Sequence, residues 1–135
     1  MASQVRVTQR VEAGAVALIA LVAVVTLYPR WWWMVLAAFL AFDLSMLGYV
    51  RSPAVGATTY NVVHNYAFPA LAGMAALVLE PVSAVASTAA GVLACAWAFH
   101  VGVDRALGYG LKLPDSFTHT HLGRIGRGGG GSGHA

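Results

Sequence analysis

Four apolar segments follow one another along the chain, and each is close to the length that a helix needs to cross a membrane. They comprise approximately residues 11–28, 31–50, 55–79 and 82–107. A hydrocarbon core of about 30 Å takes roughly 20 helical residues. Short breaks that pair proline with a charged residue separate the segments, at Pro29-Arg30, Arg51-Ser52-Pro53 and Glu80-Pro81. The pattern therefore predicts an all-α fold, an integral membrane bundle of four transmembrane helices.

The third and fourth segments carry signals about their shape and packing. Pro69 lies inside the third segment and predicts a kink, because proline has no N–H to donate and its ring crowds the preceding turn. The fourth segment has small residues every four positions, which let helices approach closely. We therefore expect the fourth helix to be central in the bundle, and self-association into a homo-oligomer is the alternative use. The small residues form two series, Ser83, Ser87, Gly91, Cys95 and Ala86, Ala90, Ala94, Ala98, Gly102.

The composition excludes an ordinary soluble domain. Of 135 residues, 59% are hydrophobic and 10% are charged, whereas soluble domains carry about 25% charged residues. Cys95 is the single cysteine, so the chain has no disulfide framework. The lipid bilayer is therefore the first partner that the sequence predicts.

Lysine and arginine are distributed unevenly between the two ends of the apolar segments. Seven of the eight lie in the N-terminus, in the loop after the second segment or in the C-terminal part, and Arg30 alone lies on the other side. Because cytoplasmic loops are enriched in these residues, we predict that both termini are cytoplasmic. The net charge of +3 follows from this bias and does not indicate nucleic-acid binding. The seven are Arg6, Arg10, Arg51, Arg105, Lys112, Arg124 and Arg127.

The length predicts one domain. We assign residues 1–127 to a single four-helix transmembrane domain whose C-terminal cytoplasmic segment folds back onto the bundle. Gly108 and Gly110 permit a sharp turn after the fourth segment, and Phe117 offers an anchor. Residues 128–135 are rich in glycine and are predicted to form a flexible tail.

Ionisable residues within the apolar segments are the candidates for function, because charge in lipid is costly and usually functional. Asp43 lies in the second segment, His64 in the third, and His100 and Asp104 in the fourth. At about 1.5 Å per residue, all four lie roughly 5 to 13 Å from the cytoplasmic ends of their segments. His100 and Asp104 are four residues apart and share a helix face. The sequence therefore predicts a single polar site in the cytoplasmic leaflet.

Two histidines and two carboxylates form a ligand set that suits a divalent metal. Without a metal, the same groups could act as a general acid/base pair or a proton relay. Haem held by His64 and His100 is a less favoured option. Four further residues are expected to orient or cover a substrate around this site, namely Tyr49, Tyr60, Asn61 and His121.

Several of these residues belong to longer motifs. The motifs are DLSMLGY at 43–49, YNVVHNY at 60–66, HVGVDRALGYGLK at 100–112 and THLG at 120–123. Together they resemble a family of small bacterial four-helix membrane proteins that is classed as a domain of unknown function. The resemblance implies four spans and a bacterial inner membrane, and it implies no activity. Phe42 replaces a proline and His119 replaces an acidic residue of the family's pattern, so His121 is the better candidate of the two tail histidines.

These observations favour a membrane-embedded enzyme, metal-dependent or acid/base, that acts on a small or lipid-like molecule entering from the inner leaflet. A binding or transport protein for an ion, a proton or haem is the first alternative. A non-catalytic scaffold subunit is the second, since polar side chains also join helices in lipid. The sequence contains no nucleophile motif or phosphate loop that would separate these functions.

Overall fold

The computed structural model describes residues 2–126, and its regular structure is helical apart from a short C-terminal hairpin. Three helical stretches are long and apolar enough to cross a membrane, Ser3–Leu27, Pro53–Leu79 and Ala84–Leu107, and the apolar stretch Met34–Val50 is shorter. Arg127 and the tail at 128–135 lie outside the described residues. The elements are α1 (Ala2–Leu27), α2 (Met34–Ala37), a 3₁₀ helix (Phe39–Val50), α3 (Pro53–Val63), α4 (Ala67–Leu79), α5 (Ala84–Leu107), β1 (His119–Thr120) and β2 (Gly123–Arg124).

Helix α5 lies at the centre of the fold, which confirms the prediction from its small residues. It packs against α1, α4, α2 and the 3₁₀ helix. Gly102 permits a close approach to α1, because a Cβ atom there would come within 2.8 Å of the carbonyl oxygen of Ala13. Gly108 ends the helix with a φ of 102°, in the left-handed region that favours glycine.

The second apolar segment differs from the α-helix that its pattern predicts, because most of it forms a 3₁₀ helix. Residues three apart share a face of such a helix, and every third residue here is exposed, namely Ala41, Leu44, Leu47 and Val50. On a second face, two aromatic rings pack against α5, and a serine and a glycine pack against α3. The members of that face are Phe39, Phe42, Ser45 and Gly48. The three-residue repeat thus matches the packing of this segment against two neighbours.

The third apolar segment is interrupted at residues 64–66, before the proline that predicts a kink. Pro69 lies in the first turn of α4, where a missing N–H is tolerated. Asn65 bridges the interruption with its side-chain amide. Its Nδ2 donates to two carbonyl oxygens at the end of α3, and its Oδ1 accepts from the N–H of Ala67 in α4.

Two side chains of α5 donate hydrogen bonds to backbone carbonyl groups that the interruption leaves free of helical partners. The indole N–H of Trp97 donates to the carbonyl of Val63 at 2.6 Å, and the guanidinium of Arg105 donates to the carbonyl of His64 at 3.1 Å. Within a membrane, an unpaired backbone group is so costly that helices break only where such partners exist. The interruption is therefore a stable feature, and it brings His64 close to α5.

The segment after α5 folds back against α3 and α1. The side chain of Asn61 pairs with both backbone groups of Lys112, at 2.7 and 2.8 Å. Lys112 also forms an antiparallel bridge with Thr120. Arg6 of α1 donates to the carbonyl of Leu122 at 3.5 Å. The beginning of α1 and the C-terminal hairpin consequently lie at the same end of the bundle.

Candidate metal centre

Four ionisable side chains from three parts of the chain converge at one point. Asp43 belongs to the 3₁₀ helix, His64 follows α3, and His100 and Asp104 lie one turn apart in α5. One ligand atom of each lies within 4.8 Å of the others. These are the four residues that the sequence predicts to share one site, and the structure brings them together.

The spacing of the ligand atoms is close to that around a tetrahedral metal ion. The Nε2 atoms of His64 and His100 are 2.8 Å apart. The carboxylate oxygens of Asp43 and Asp104 both lie 3.4 Å from Nε2 of His64, and 3.6 and 3.8 Å from Nε2 of His100. Bond lengths of roughly 2.0–2.1 Å place the ligands of zinc about 3.3 Å apart. The four residues could therefore hold a metal ion.

The hydrogen bond made by Nδ1 of His64 determines the protonation of its other ring nitrogen, Nε2, which faces the centre. Its Nδ1 lies 3.0 Å from the backbone carbonyl oxygen of Tyr60. Because a carbonyl oxygen only accepts, Nδ1 carries the proton and Nε2 presents its lone pair to the centre. Metal-ligating histidines are usually held in this way.

Tyr60 contacts two of the four candidate ligands. Its ring stacks on that of His64, with centroids 3.7 Å apart and an interplanar angle of 8°. Its hydroxyl donates to Oδ2 of Asp104 at 3.0 Å. Tyr60 therefore positions His64 and Asp104 relative to one another.

His100 closes the centre on the side facing the 3₁₀ helix. It is fully buried, and the rings of Phe39 and Phe42 lie 4.6 and 5.2 Å from its own. Its Nδ1 has no hydrogen-bond partner among the described residues. The aromatic rings exclude water from the histidine side of the centre.

The carboxylate side of the centre is more open. The side chains of Asp43 and Asp104 are 28% and 15% exposed, against 3% and 0% for the two histidines. Both carboxylates line a cavity of about 200 Å³. A water molecule or a substrate could reach a bound ion from this side. The other lining residues are Met46, Tyr60, Tyr109, Lys112 and Phe117.

Haem does not fit between the two histidines. Iron with two axial imidazoles would hold their nitrogens roughly 4 Å apart, with the porphyrin plane between them. Here the Nε2 atoms are 2.8 Å apart and the carboxylate oxygens of Asp43 and Asp104 lie beside them. The donor set suits a single small cation instead.

Two of the residues expected to surround the site contact the C-terminal segment. The amide of Asn61 is paired with the backbone of Lys112. The ring of Tyr49 packs on Gly56 and lies 5.3 Å from the ring of Phe117, one layer behind the cavity. Both residues hold the segment that forms one wall of the cavity.

The sequence predicts that His121 covers the site, but in the structure this residue bonds to another part of its own C-terminal segment. Its Nδ1 accepts from the N–H of Leu111 at 2.8 Å. It lines a different cavity, together with Glu12 and Arg105. Burial and the nearby Arg105 lower the pKa of His121. Among the described residues, His121 makes no hydrogen bond to the four candidate ligands.

Sequence reasoning treats Lys112 and Arg105 only as cytoplasmic charges, and the structure gives both a place beside the centre. Lys112 is 3% exposed and lines the cavity. Burial lowers its pKa, and the carboxylate of Asp104 opposes that shift. The leucines on either side of Lys112 are the local signal that could have indicated burial. Arg105 follows a candidate ligand directly, but its contact with the helix break depends on tertiary structure.

Comparison with known proteins identifies a family but no activity. A family model described as Domain of unknown function (DUF4260) matches residues 6–125. No curated protein and no solved structure matches the chain. The match includes all four candidate ligands and the cavity beside them. The chain therefore belongs to the family described as Domain of unknown function (DUF4260).

Proposed function

We propose that this protein binds one divalent transition-metal ion through Asp43, His64, His100 and Asp104, and that it is a membrane-embedded, metal-dependent enzyme for a small or lipid-like substrate. The observation that carries the proposal is the convergence of four ligand atoms within 4.8 Å. Imidazole and carboxylate ligands together suit zinc, iron or manganese.

The charge balance of the cluster supports a bound cation. The carboxylate oxygens of Asp43 and Asp104 lie within 4.8 Å of each other, and like charges this close repel each other when they are partly buried. Among the described residues, neither carboxylate forms an ion pair with a lysine or an arginine. A divalent cation would neutralise both carboxylates and would use the lone pair that His64 presents.

The shape of the site supports metal-assisted hydrolysis. The histidines close one side, and the cavity gives access on the carboxylate side. A metal in such a setting supplies Lewis-acid activation of water or of a substrate oxygen. About 200 Å³ admits a small molecule or the reacting part of a lipid, since whole drug-sized ligands need about 300–1,000 Å³.

The proposal includes four crossings of the membrane with both termini in the cytoplasm. Met34–Val50 is short for an α-helical span, but the 3₁₀ rise of about 2.0 Å per residue extends it to roughly 30 Å. The contact between Arg6 and Leu122 brings the N-terminal and C-terminal parts of the chain together at one end of the bundle, and an even number of crossings accounts for it. The excess of lysine and arginine at this end favours the cytoplasm. The family resemblance favours a bacterial inner membrane.

Elemental analysis of the detergent-purified protein tests the proposal. We expect about one zinc, iron or manganese ion per chain, because the four candidate ligand atoms converge on a single point. His100→Ala and Asp104→Asn should each lose the metal while circular dichroism shows retained helix. His119→Ala is the matched control, because this imidazole pairs with Asp115 at the surface and should leave the metal content unchanged.

Two outcomes would reject the metal centre. The first is a wild-type protein that stays free of metal even after incubation with zinc or manganese. The second is a His100→Ala protein that retains the full metal content of the wild type. Either result would favour a metal-free proton-transfer pair or a scaffold, because the 2.8 Å contact between the histidines is also a good hydrogen-bond distance.

A further inference from the structure

Lys112 brings a cationic group to the cavity beside the centre. The residue is 3% exposed. Its ammonium nitrogen lies 4.0 Å from the ring centre of Phe117, 5.0 Å from that of Tyr60 and 5.9 Å from that of Tyr109. Among the described residues, Nζ makes no hydrogen bond, and only the backbone groups of Lys112 do. The rings stabilise the ammonium by cation–π contact and leave its N–H donors available to a ligand.

The position of this ammonium is fixed by its backbone. The amide of Asn61 pairs with the N–H and the carbonyl of Lys112, and an antiparallel bridge joins the same residue to Thr120. Asn61 lies next to Tyr60 in α3, and His64 directly follows this helix. These contacts fix the backbone of Lys112 relative to α3 and the residue that follows it, His64.

The carboxylates of Asp43 and Asp104 line the same cavity. Neither carboxylate lies within the 4.0 Å of an ion pair with Lys112. A gap therefore separates the ammonium from the centre. With a divalent ion bound, the charges of the ion and of Lys112 exceed those of the two carboxylates by one. The loaded cavity would consequently attract an anion of charge −1.

We propose that this cavity binds a singly charged oxyanion group, as found in a carboxylate or a phosphodiester, with one oxygen towards the metal and another accepting a hydrogen bond from Lys112. This inference rests on the proposed function, because the metal supplies the excess of positive charge. Met46 and Phe117 provide apolar walls for the carbon atoms next to that group. A free acid and a lipid headgroup are two sources of the same chemistry.

Titration of the cobalt-loaded protein in detergent tests this inference. Cobalt(II) can replace zinc, and its visible spectrum changes when a further ligand binds. The probes are sodium acetate, dimethyl phosphate as a phosphodiester without tails, dihexanoyl phosphatidylglycerol as a lipid, and ethylene glycol as an uncharged control. We expect a saturable change with an anionic probe and none with ethylene glycol. A response to the phospholipid alone would identify a lipid headgroup as the source, and a response to acetate or dimethyl phosphate would identify a free anion.

Substitutions separate the roles of charge and space in the cavity. Lys112→Met keeps the chain length but removes the charge, and it should weaken anion binding about tenfold or more, as expected for a lost hydrogen bond to a charged group. Met46→Trp should also abolish the response, because the larger ring fills the cavity. Both variants should keep their cobalt. Arg51→Met is the matched control, since it removes an exposed positive charge at the end of the 3₁₀ helix and should leave affinity unchanged.

Two results would overturn the inference and leave the metal centre intact. In the first, cobalt-loaded wild type responds to none of the anionic probes. In the second, Lys112→Met melts earlier but binds the anion as tightly as wild type, which would make the lysine a structural cation. If Lys112→Met does not fold, wild-type affinity in Met46→Trp overturns the inference. A wild-type protein that takes up no cobalt would reject the metal centre and the anion site together.

Discussion

Tyr60 connects the interruption of the third apolar segment to the candidate centre through three chemical groups. Its carbonyl accepts from Nδ1 of His64, its ring stacks on the same imidazole, and its hydroxyl donates to Asp104. The carbonyl contact depends on the four-residue spacing within α3, whereas the hydroxyl contact spans 44 positions of the chain. One residue thus fixes the orientation of ligands from two helices.

Tyr60→Phe should weaken metal binding while the protein stays folded. The substitution removes only the hydroxyl that orients Asp104, and loss of such a contact typically costs about 10–100-fold in metal affinity. Competition with a chelator of known affinity measures the change. Tyr109→Phe is the control, because this hydroxyl also belongs to a cavity residue but makes no hydrogen bond among the described residues. Equal affinities in the two variants would contradict the role given to Tyr60.

His121 should make the attachment of the C-terminal segment dependent on pH. The bond from the N–H of Leu111 requires an unprotonated Nδ1, and burial, followed by Arg105, lowers the pKa of His121 from 6.5. Because the folded pKa is lowered, the detached segment takes up a proton first as the pH falls. The attachment is therefore at full strength above pH 6.5 and weakens below it.

Hydrogen exchange of residues 109–126 measures this effect, after correction for intrinsic rates. Exchange should be faster at about pH 5 than at about pH 7.5. In His121→Gln the difference should disappear, whereas Glu12→Gln, which changes another group of the same cavity, should keep it. A pH difference that persists in His121→Gln would contradict this interpretation.

Among the elements, the regular parts of the fold could be predicted and the irregular parts could not. Apolar length and the proline breaks define the segments, and depth along them is enough to group the four ionisable residues. The interruption at residues 64–66 depends on donors from α5, Trp97 and Arg105, that are distant in sequence. The 3₁₀ geometry likewise depends on contact with α3 at Gly48. These are tertiary contacts, so no local periodicity indicates them.

Gly102→Ala should destabilise the contact between α1 and α5. A Cβ atom at this position would lie 2.8 Å from the carbonyl oxygen of Ala13 and 2.9 Å from Cβ of Ala17. Because the backbone of α1 must move, we expect a loss of about 1–3 kcal/mol in stability. Thermal unfolding in detergent measures it. Gly73→Ala is the matched control, because its Cβ would meet Ala94 at an ordinary 3.8 Å. Equal melting temperatures would contradict this packing.

In the molecule as a whole, α1 contacts the end of α5 and the C-terminal hairpin, and the segment between these two contacts lines the open side of the site. Arg10 of α1 donates to the carbonyl of Ala106 at 2.8 Å, as Arg6 does to the hairpin. Lys112 lies in the segment between these contacts and lines the cavity. A substrate would therefore approach from the end of the bundle that we assign to the cytoplasm.

Reporter fusions at both termini test this assignment. Green fluorescent protein should fluoresce at either terminus, because it does so only in the cytoplasm, and alkaline phosphatase should be inactive at both. Alkaline phosphatase inserted after Pro81, between α4 and α5, should be active and serves as the control. An active phosphatase at the C-terminus with a fluorescent N-terminus would mean an odd number of crossings and would contradict the four-span arrangement.

X-ray absorption at the edge of the bound metal tests the central claim most directly, because it reports the atoms that contact the ion. For a zinc-loaded protein we predict a first shell of nitrogen and oxygen alone at roughly 2.0–2.1 Å. Outer-shell scattering should indicate two imidazoles. A sulfur ligand from Cys95, or a first shell without imidazole, would contradict the centre formed by Asp43, His64, His100 and Asp104.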